Sequence, residues 1–226
     1  MFDFDQGEGL MYQARFHTVP LIALIGFSLL VGNAAHAAGF GGYLSYGNID
    51  GGVDDLPFLG DLDYESDRFG LGLVMDTNVA KDSLFNYRLE VGYQHSWREF
   101  DDFSGEIESD GFTINNTFGF APYRNENVRL WMGPALRLSV DVFDEDDIDP
   151  LDDWVTFGIG IGPAVGLNWH MGSTLSGSLS LSYQYMFMGE YIDSGIGDDT
   201  FDGHEHLVTF GLSVLFRSSG DRFGGN

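Results

Sequence analysis

Between Val155 and Trp169 the chain alternates without a break. Val155, Phe157, Ile159, Ile161, Pro163, Val165, Leu167 and Trp169 are apolar, and Thr156, Gly158, Gly160, Gly162, Ala164, Gly166 and Asn168 between them are small or polar. A period of two belongs to a strand, whose successive side chains leave on opposite faces. A glycine-rich nucleotide loop would need a tight turn followed by a helix, whereas here the alternation runs on through Pro163. The pattern returns at 86–97, 128–142 and 176–187, and in shorter form at Phe40–Asn48, Arg68–Thr77, Gly111–Phe120 and His206–Arg217. Eight strands are therefore predicted, and no segment carries a helical period.

Two all-β architectures fit eight alternating strands, and the chemistry of the second face separates them. A soluble sandwich puts bulk inside and Lys, Thr and Glu outside. Here the face opposite the bulky one holds Gly, Ser, Ala and Asn with a few Arg, Glu and Asp, which suits a narrow interior, while the bulky face suits lipid. The expected fold is a closed antiparallel eight-stranded transmembrane up-and-down β-barrel. The connections alternate as such a barrel requires. Links one, three, five and seven (49–67, 101–110, 143–154 and 192–205) are long and hold most of the acid. Links two, four and six (78–85, 121–127 and 170–174) are short and hold Lys81 and Arg124.

Composition and charge narrow the setting. A net charge of −25 argues against nucleic acid as a partner, and the absence of cysteine excludes disulfides and thiolate metal sites. Val19–Val31 is an apolar run too short for a spanning helix, preceded by Arg15 and His17 and followed by Ala35-His36-Ala37. Residues 1–37 therefore read as a signal peptide, with translation expected to begin at Met11 because Asp3, Asp5 and Glu8 put negative charge where a leader wants positive. The expected mature chain, Ala38 to Asn226, comprises the barrel to residue 217 and a short periplasmic tail, 218–226.

The final strand, VTFGLSVLF, places Phe210, Leu212, Val214 and Phe216 on one face. With this strand and the alternating links, the chain resembles the small eight-stranded outer-membrane barrels of Gram-negative bacteria, such as the OmpX, OmpA-barrel and opacity-protein families. The resemblance covers nearly the whole mature chain and rests on architecture more than on a diagnostic motif. It implies a location in the outer membrane, with periplasmic termini and extracellular loops. It also implies that the four residues form an assembly signal for the barrel assembly machinery, with membrane lipid and lipopolysaccharide as surroundings and a monomer as the working state. In those families the signal usually ends the protein, whereas RSSGDRFGGN follows Phe216 here.

Candidate chemistry lies in three places. Parity puts Arg68, Asp76, Arg88, Glu90, Arg129, Arg137, Asp141 and Glu190 inside, where charges are expected to pair. The acidic strings hold Asp61, Asp63, Glu65 and Asp67 in the first long link, and Asp144, Asp146, Asp147 and Asp149 in the third. Neither string has the glycine and closing glutamate of an EF-hand, so Ca²⁺ or Mg²⁺ would be held weakly at most and no resident cofactor is expected. His95 beside Ser96 invites comparison with barrels that modify lipid A, but adjacent strand residues point to opposite faces, and no catalytic residue is assigned. Aromatic girdles are expected from Tyr93, Trp97 and Phe100 at one end of the third strand and from Phe118, Phe120 and Tyr123 at the other end of the fourth. The expected function is structural or surface-interaction through the acidic loops. A narrow passive channel for small solutes is the alternative, and lipid A modification a lesser one.

Overall fold

The structure is a computed structural model that describes residues 39–56, 60–79, 83–100, 106–143, 153–193 and 198–217. The segments assigned to the signal peptide and the tail lie outside these residues. Eight strands follow in chain order: β1 Gly39–Leu56, β2 Gly60–Asp76, β3 Phe85–Phe100, β4 Glu106–Arg124, β5 Val128–Phe143, β6 Asp153–Met171, β7 Leu175–Asp193 and β8 Asp198–Arg217. Each pairs antiparallel with its neighbour, and β1 closes on β8 from Gly39↔Arg217 to Val53↔Gly203. The predicted fold class is the observed one. Closure leaves no strand with an unpaired edge.

Gly39 and Arg217 stand at one end, called here the terminal end, together with the links from β2 to β3, β4 to β5 and β6 to β7. These turns are locally specified. Asn125 folds its side chain back so that the Asn127 and Val128 amides donate to its Oδ1 at 2.8 and 2.9 Å. Gly172 takes a positive φ of 74°, which suits a residue without Cβ.

At the other, distal end the strands run much farther than predicted. They are 16 to 20 residues long, against the roughly nine to eleven that cross a membrane at a tilt. The first long link, expected over 49–67, is mostly strand: β1 continues to Leu56, and β2 begins at Gly60 and carries Asp63, Glu65 and Asp67. The reason is physical. An apolar outward face marks a strand only where lipid lies outside, and here that face turns acidic while the backbone ladder continues. On β2 the outward residues change from Leu73, Leu71 and Phe69 to Asp67, Glu65 and Asp63.

The inward face changes in the opposite sense. Around the terminal and middle parts of the lumen it is largely polar or charged, with Asp76, Asn86, Arg88, Thr117, Asn168 and Ser178 all buried. Two small apolar clusters are interspersed there, Tyr43, Val74, Val79 and Leu215, and Ala121, Trp131, Ala135 and Ala164. Towards the distal end it becomes an apolar core of Ile49, Val53, Leu62, Tyr64, Phe100, Phe143, Trp154, Met186, Met188 and Leu207. Phe100, assigned above to the girdle, belongs to this core. It shares the even-numbered inward parity of Gln94, Ser96 and Arg98.

The ladder of the outward apolar band is irregular around β5 and β6. Pro134 and Pro163 face each other directly across β5 and β6, and neither has an N–H to donate. The β4–β5 pairing also shifts register between Phe120 and Tyr123.

Candidate functional site

Period-two strands carry every second side chain into the lumen, so a charged residue of the right parity has no alternative to burial. All eight charges assigned to the interior from the sequence face it. Among the described residues two more join them, Arg98 on β3 and Glu205 on β8, so that five arginines meet five carboxylates. Both additional residues follow the parity of their strands and were missed because the strands were expected to stop short of them.

These charges form three connected layers. Nearest the terminal end, Asp76 accepts from Asn86 Nδ2 at 3.2 and 3.1 Å and from the Asn78 amide at 3.1 Å. Arg129 is fully buried on β5, two positions before the Trp131 ring, whose Nε1 donates to Asn168 Oδ1 at 3.1 Å. In the middle, Arg88 donates to Glu90 at 2.9 Å and to Ser178 and Ser213 at 3.1 and 2.5 Å. Arg137 donates to Gln94 Oε1 at 2.5 Å, and Gln94 Nε2 donates in turn to Asp141 at 2.5 Å. Arg68 bridges upward, 3.7 Å from both Asp141 and Glu205.

The third layer closes the distal end. Arg98 lies 3.5 Å from both Glu190 and Glu205, with its guanidinium carbon 3.9 Å from the centre of the Tyr64 ring, 4.5 Å from Phe143 and 5.4 Å from Trp154. The rings carry their own polar groups into the same cluster: Tyr64 donates to Glu205 at 2.8 Å and Trp154 Nε1 to Glu190 at 2.6 Å. A cation held against aromatic faces and two carboxylates is thus buried without being left unpaired. Beside Arg88, Glu90 and Arg137 of the middle layer lies a cavity of about 20 Å³, lined also by Ser45, Thr113, Asn115 and Ser182. That is space for about one water molecule.

The outward surface of the distal wall is the second feature. Its carboxylates sit in cross-strand register: Asp50 faces Glu65, Glu65 faces Glu99, and Glu99 faces Glu106, giving an unbroken acidic row over β1–β4. A second row runs through Asp67, Trp97 and Glu108. Of the first acidic string, Asp63, Glu65 and Asp67 point outward from β2; Asp61 belongs to that strand, and nothing is described of its side chain. Asp144, Asp146, Asp147 and Asp149 lie outside the described residues.

At the border between the apolar band and this acid sits a polar belt. Tyr46 donates to Asp67 at 2.6 Å, and Tyr93 and His95 Nδ1 both donate to Asp110, the histidine at 2.7 Å. These two hydrogen bonds, Tyr93 first, hold the Asp110 carboxyl below its ordinary value of 3.8. His95 faces outward while Ser96 is buried in the lumen against Ser109 at 2.7 Å, so the two do not meet. Phe210, Leu212, Val214 and Phe216 all lie exposed on the outward face of β8.

The barrel superposes on solved outer-membrane proteins. The crystal structure of OprG from Pseudomonas aeruginosa matches with a TM-score of 0.53 at 10% identity, over 79% of this chain and 96% of that one. The fold is that of an outer-membrane barrel. Neisserial surface protein A matches at 15% identity over 77% of this chain and 97% of that one, with a TM-score of 0.41. Ail, the attachment invasion locus protein of Yersinia pestis, matches at 10% identity over 80% and 99%, with a TM-score of 0.37. No family model and no curated protein matches the sequence. At such identities the likeness is one of architecture, and the roles of individual residues rest on the geometry above.

Proposed function

We propose that the protein is an integral outer-membrane barrel with a closed lumen, acting at the cell surface through the outward face of its acidic distal wall. The termini and short turns lie on the periplasmic side, the distal wall is extracellular, and the working state is a monomer. The exposed strip of Phe210, Leu212, Val214 and Phe216 serves as the signal for the assembly machinery. The observation that carries this reading is the filled interior: five arginines balanced by five carboxylates, an apolar distal core, and a mid-lumen cavity of about 20 Å³. An eight-stranded barrel has an interior that side chains can fill. The role is therefore structural or one of surface interaction, with no catalytic residue assigned, and the outer wall is the working surface.

Like charges set directly opposite across strands repel. The row Asp50–Glu65–Glu99–Glu106 is accordingly suited to weakly held Ca²⁺ or Mg²⁺ that bridges to phosphates of surrounding lipopolysaccharide. Calorimetry of the folded chain with Ca²⁺ tests this, and heat no greater than that of buffer removes it.

Conductance across a planar bilayer tests the closed lumen. The folded chain is expected to insert and stay silent, and Arg88→Ala or Arg137→Ala to raise the leak. Discrete, reproducible steps from the unaltered chain would instead favour a narrow passive channel for small solutes.

A further inference from the structure

The acidic row over β1–β4 ends against a pair of histidines on β8. His204 and His206 are two residues apart on a strand, so both leave on the outward face, while Glu205 between them is buried in the lumen. Their ring centres are 6.3 Å apart with the planes at right angles. An imidazole nitrogen holds a metal ion at about 2.0–2.1 Å, which puts the ion roughly 3 Å from the ring centre, so two rings sharing one ion have centres within roughly 6.5 Å. This pair is inside that limit.

Two further observations single out this pair. His206 Nδ1 is already seated on the Tyr183 hydroxyl at 2.7 Å, which assigns metal binding to Nε2. With a metal on Nε2, Nδ1 carries the proton and donates it to the tyrosine oxygen, the arrangement that fixes the tautomer of a ligating histidine. Tyr185 packs against both rings, with centres 5.1 Å from His206 and 6.3 Å from His204. His95, the other outward histidine of this zone, differs in kind. Its Nδ1 is bonded to Asp110 at 2.7 Å and its Nε2 lies 3.7 Å from Glu108, so carboxylates flank both nitrogens.

We propose that His204 and His206 form a two-imidazole site for a late first-row divalent metal ion, of the copper(II), nickel(II) or zinc class, on the outer face of β8. Imidazole nitrogen suits these ions and not Ca²⁺ or Mg²⁺. Among the described residues no group of three His, Cys, Asp or Glu side chains is preassembled around a metal, so the two nitrogens supply the chelate and water completes it. Asp50 is the cross-strand partner of His206, and Asp202 lies two positions before His204 on the same face. The row of carboxylates that begins at Asp50 raises the local concentration of cations. The site stands whether or not the lumen conducts.

Copper(II) titrated into the full chain, folded in detergent micelles and stripped with chelator, tests the site by electron paramagnetic resonance. The unaltered protein is expected to show nitrogen coupling from imidazole. The double variant His204→Ala/His206→Ala should lose that coupling and bind at least roughly tenfold more weakly. His95→Ala should change neither, and Tyr183→Phe should weaken binding less than loss of a ligand. All four substitutions lie on the outward face and leave the lumen packing intact; retained resistance of the folded band to detergent on gels verifies this. Oxygen-only ligation in the unaltered chain would overturn the proposal. So would nitrogen coupling that survives in the double variant, since His17, His36, His95 and His170 remain there.

Discussion

The two halves of this barrel obey opposite rules. In the terminal half, outward residues such as Leu71, Leu73 and Phe118 are apolar, and the inward ones are mostly charged, polar or small, with small apolar clusters around Val74 and Trp131. In the distal half, the outward residues of β1–β4 are mostly carboxylates, with Asn48 and Trp97 among them, and the inward ones form an aromatic and aliphatic core around Arg98. Apart from the register shifts near Val53 on β1 and Phe120 on β4, the strands keep their period of two, and only the chemistry assigned to each parity is exchanged. The first half is built for a low-dielectric exterior, where the lumen is the one place a charge can be satisfied. The second is built as a water-soluble barrel would be, with its core inside. The exchange marks the level at which the solvent changes.

The largest effect should come from the one place where the two rules overlap, the charge inside the apolar distal core. Arg98→Ala leaves buried Glu190 with the Trp154 N–H in place of a cation, and buried Glu205 with Tyr64 and the more distant Arg68 alone. It is expected to cost about 3–5 kcal/mol in urea unfolding from micelles. Adding Glu190→Gln and Glu205→Gln should recover much of that loss. A triple variant no more stable than the single one would mean that the aromatic contacts of Arg98, and not its ion pairs, hold the core.

Next in size is a direct exchange across the border on β2. Leu73→Arg puts a charge on the apolar band and should destabilise by about 2–4 kcal/mol. Glu65→Arg, eight positions along the same outward face, relieves repulsion from Asp50 and Glu99 and should gain up to about 1 kcal/mol, less at high salt. Equal effects at the two positions would refute the idea of two zones.

The smallest effect is a titration at the border itself. Asp110 is held below its ordinary value by Tyr93 and His95, so its contribution is present above that ordinary value and disappears as pH falls through the lowered one. Because Asp110 is largely exposed, the stability change is expected to be slight, and the carboxyl resonance is the better readout. Tyr93→Phe should move its midpoint upward, and His95→Ala should do so by less.

Why the sequence predicted the terminal half better than the distal half follows from the same exchange. Parity alone placed Arg88, Arg137 and Asp141 in the lumen, and the apolar partner face bounded the strands correctly where lipid supplies the contrast. Beyond Phe69 on β2 that contrast reverses, so Asp67, Glu65 and Asp63 read as a loop although they lie in a continuous ladder. The same misjudged boundary hid Arg98 and Glu205, and it cast Phe100 as an interfacial aromatic. A test for alternation blind to the sign of polarity would have carried β3 through Arg98 to Phe100. Contacts between strands distant in the chain, such as Tyr64 with Glu205 or Arg88 with Ser213, depend on closure and register and have no local signature.

The outward carboxylates of the distal wall, nine among the described residues, also act as a ratchet. For the barrel to stand as proposed, that rim must pass the hydrocarbon once, and each carboxylate resists the crossing unless it is shielded or neutralised. Spontaneous entry is correspondingly slow, which makes assisted insertion the practical route. The same barrier faces the barrel on the way out. A chain that has crossed stays anchored and keeps its direction, because retreat would drag those charges back through oil.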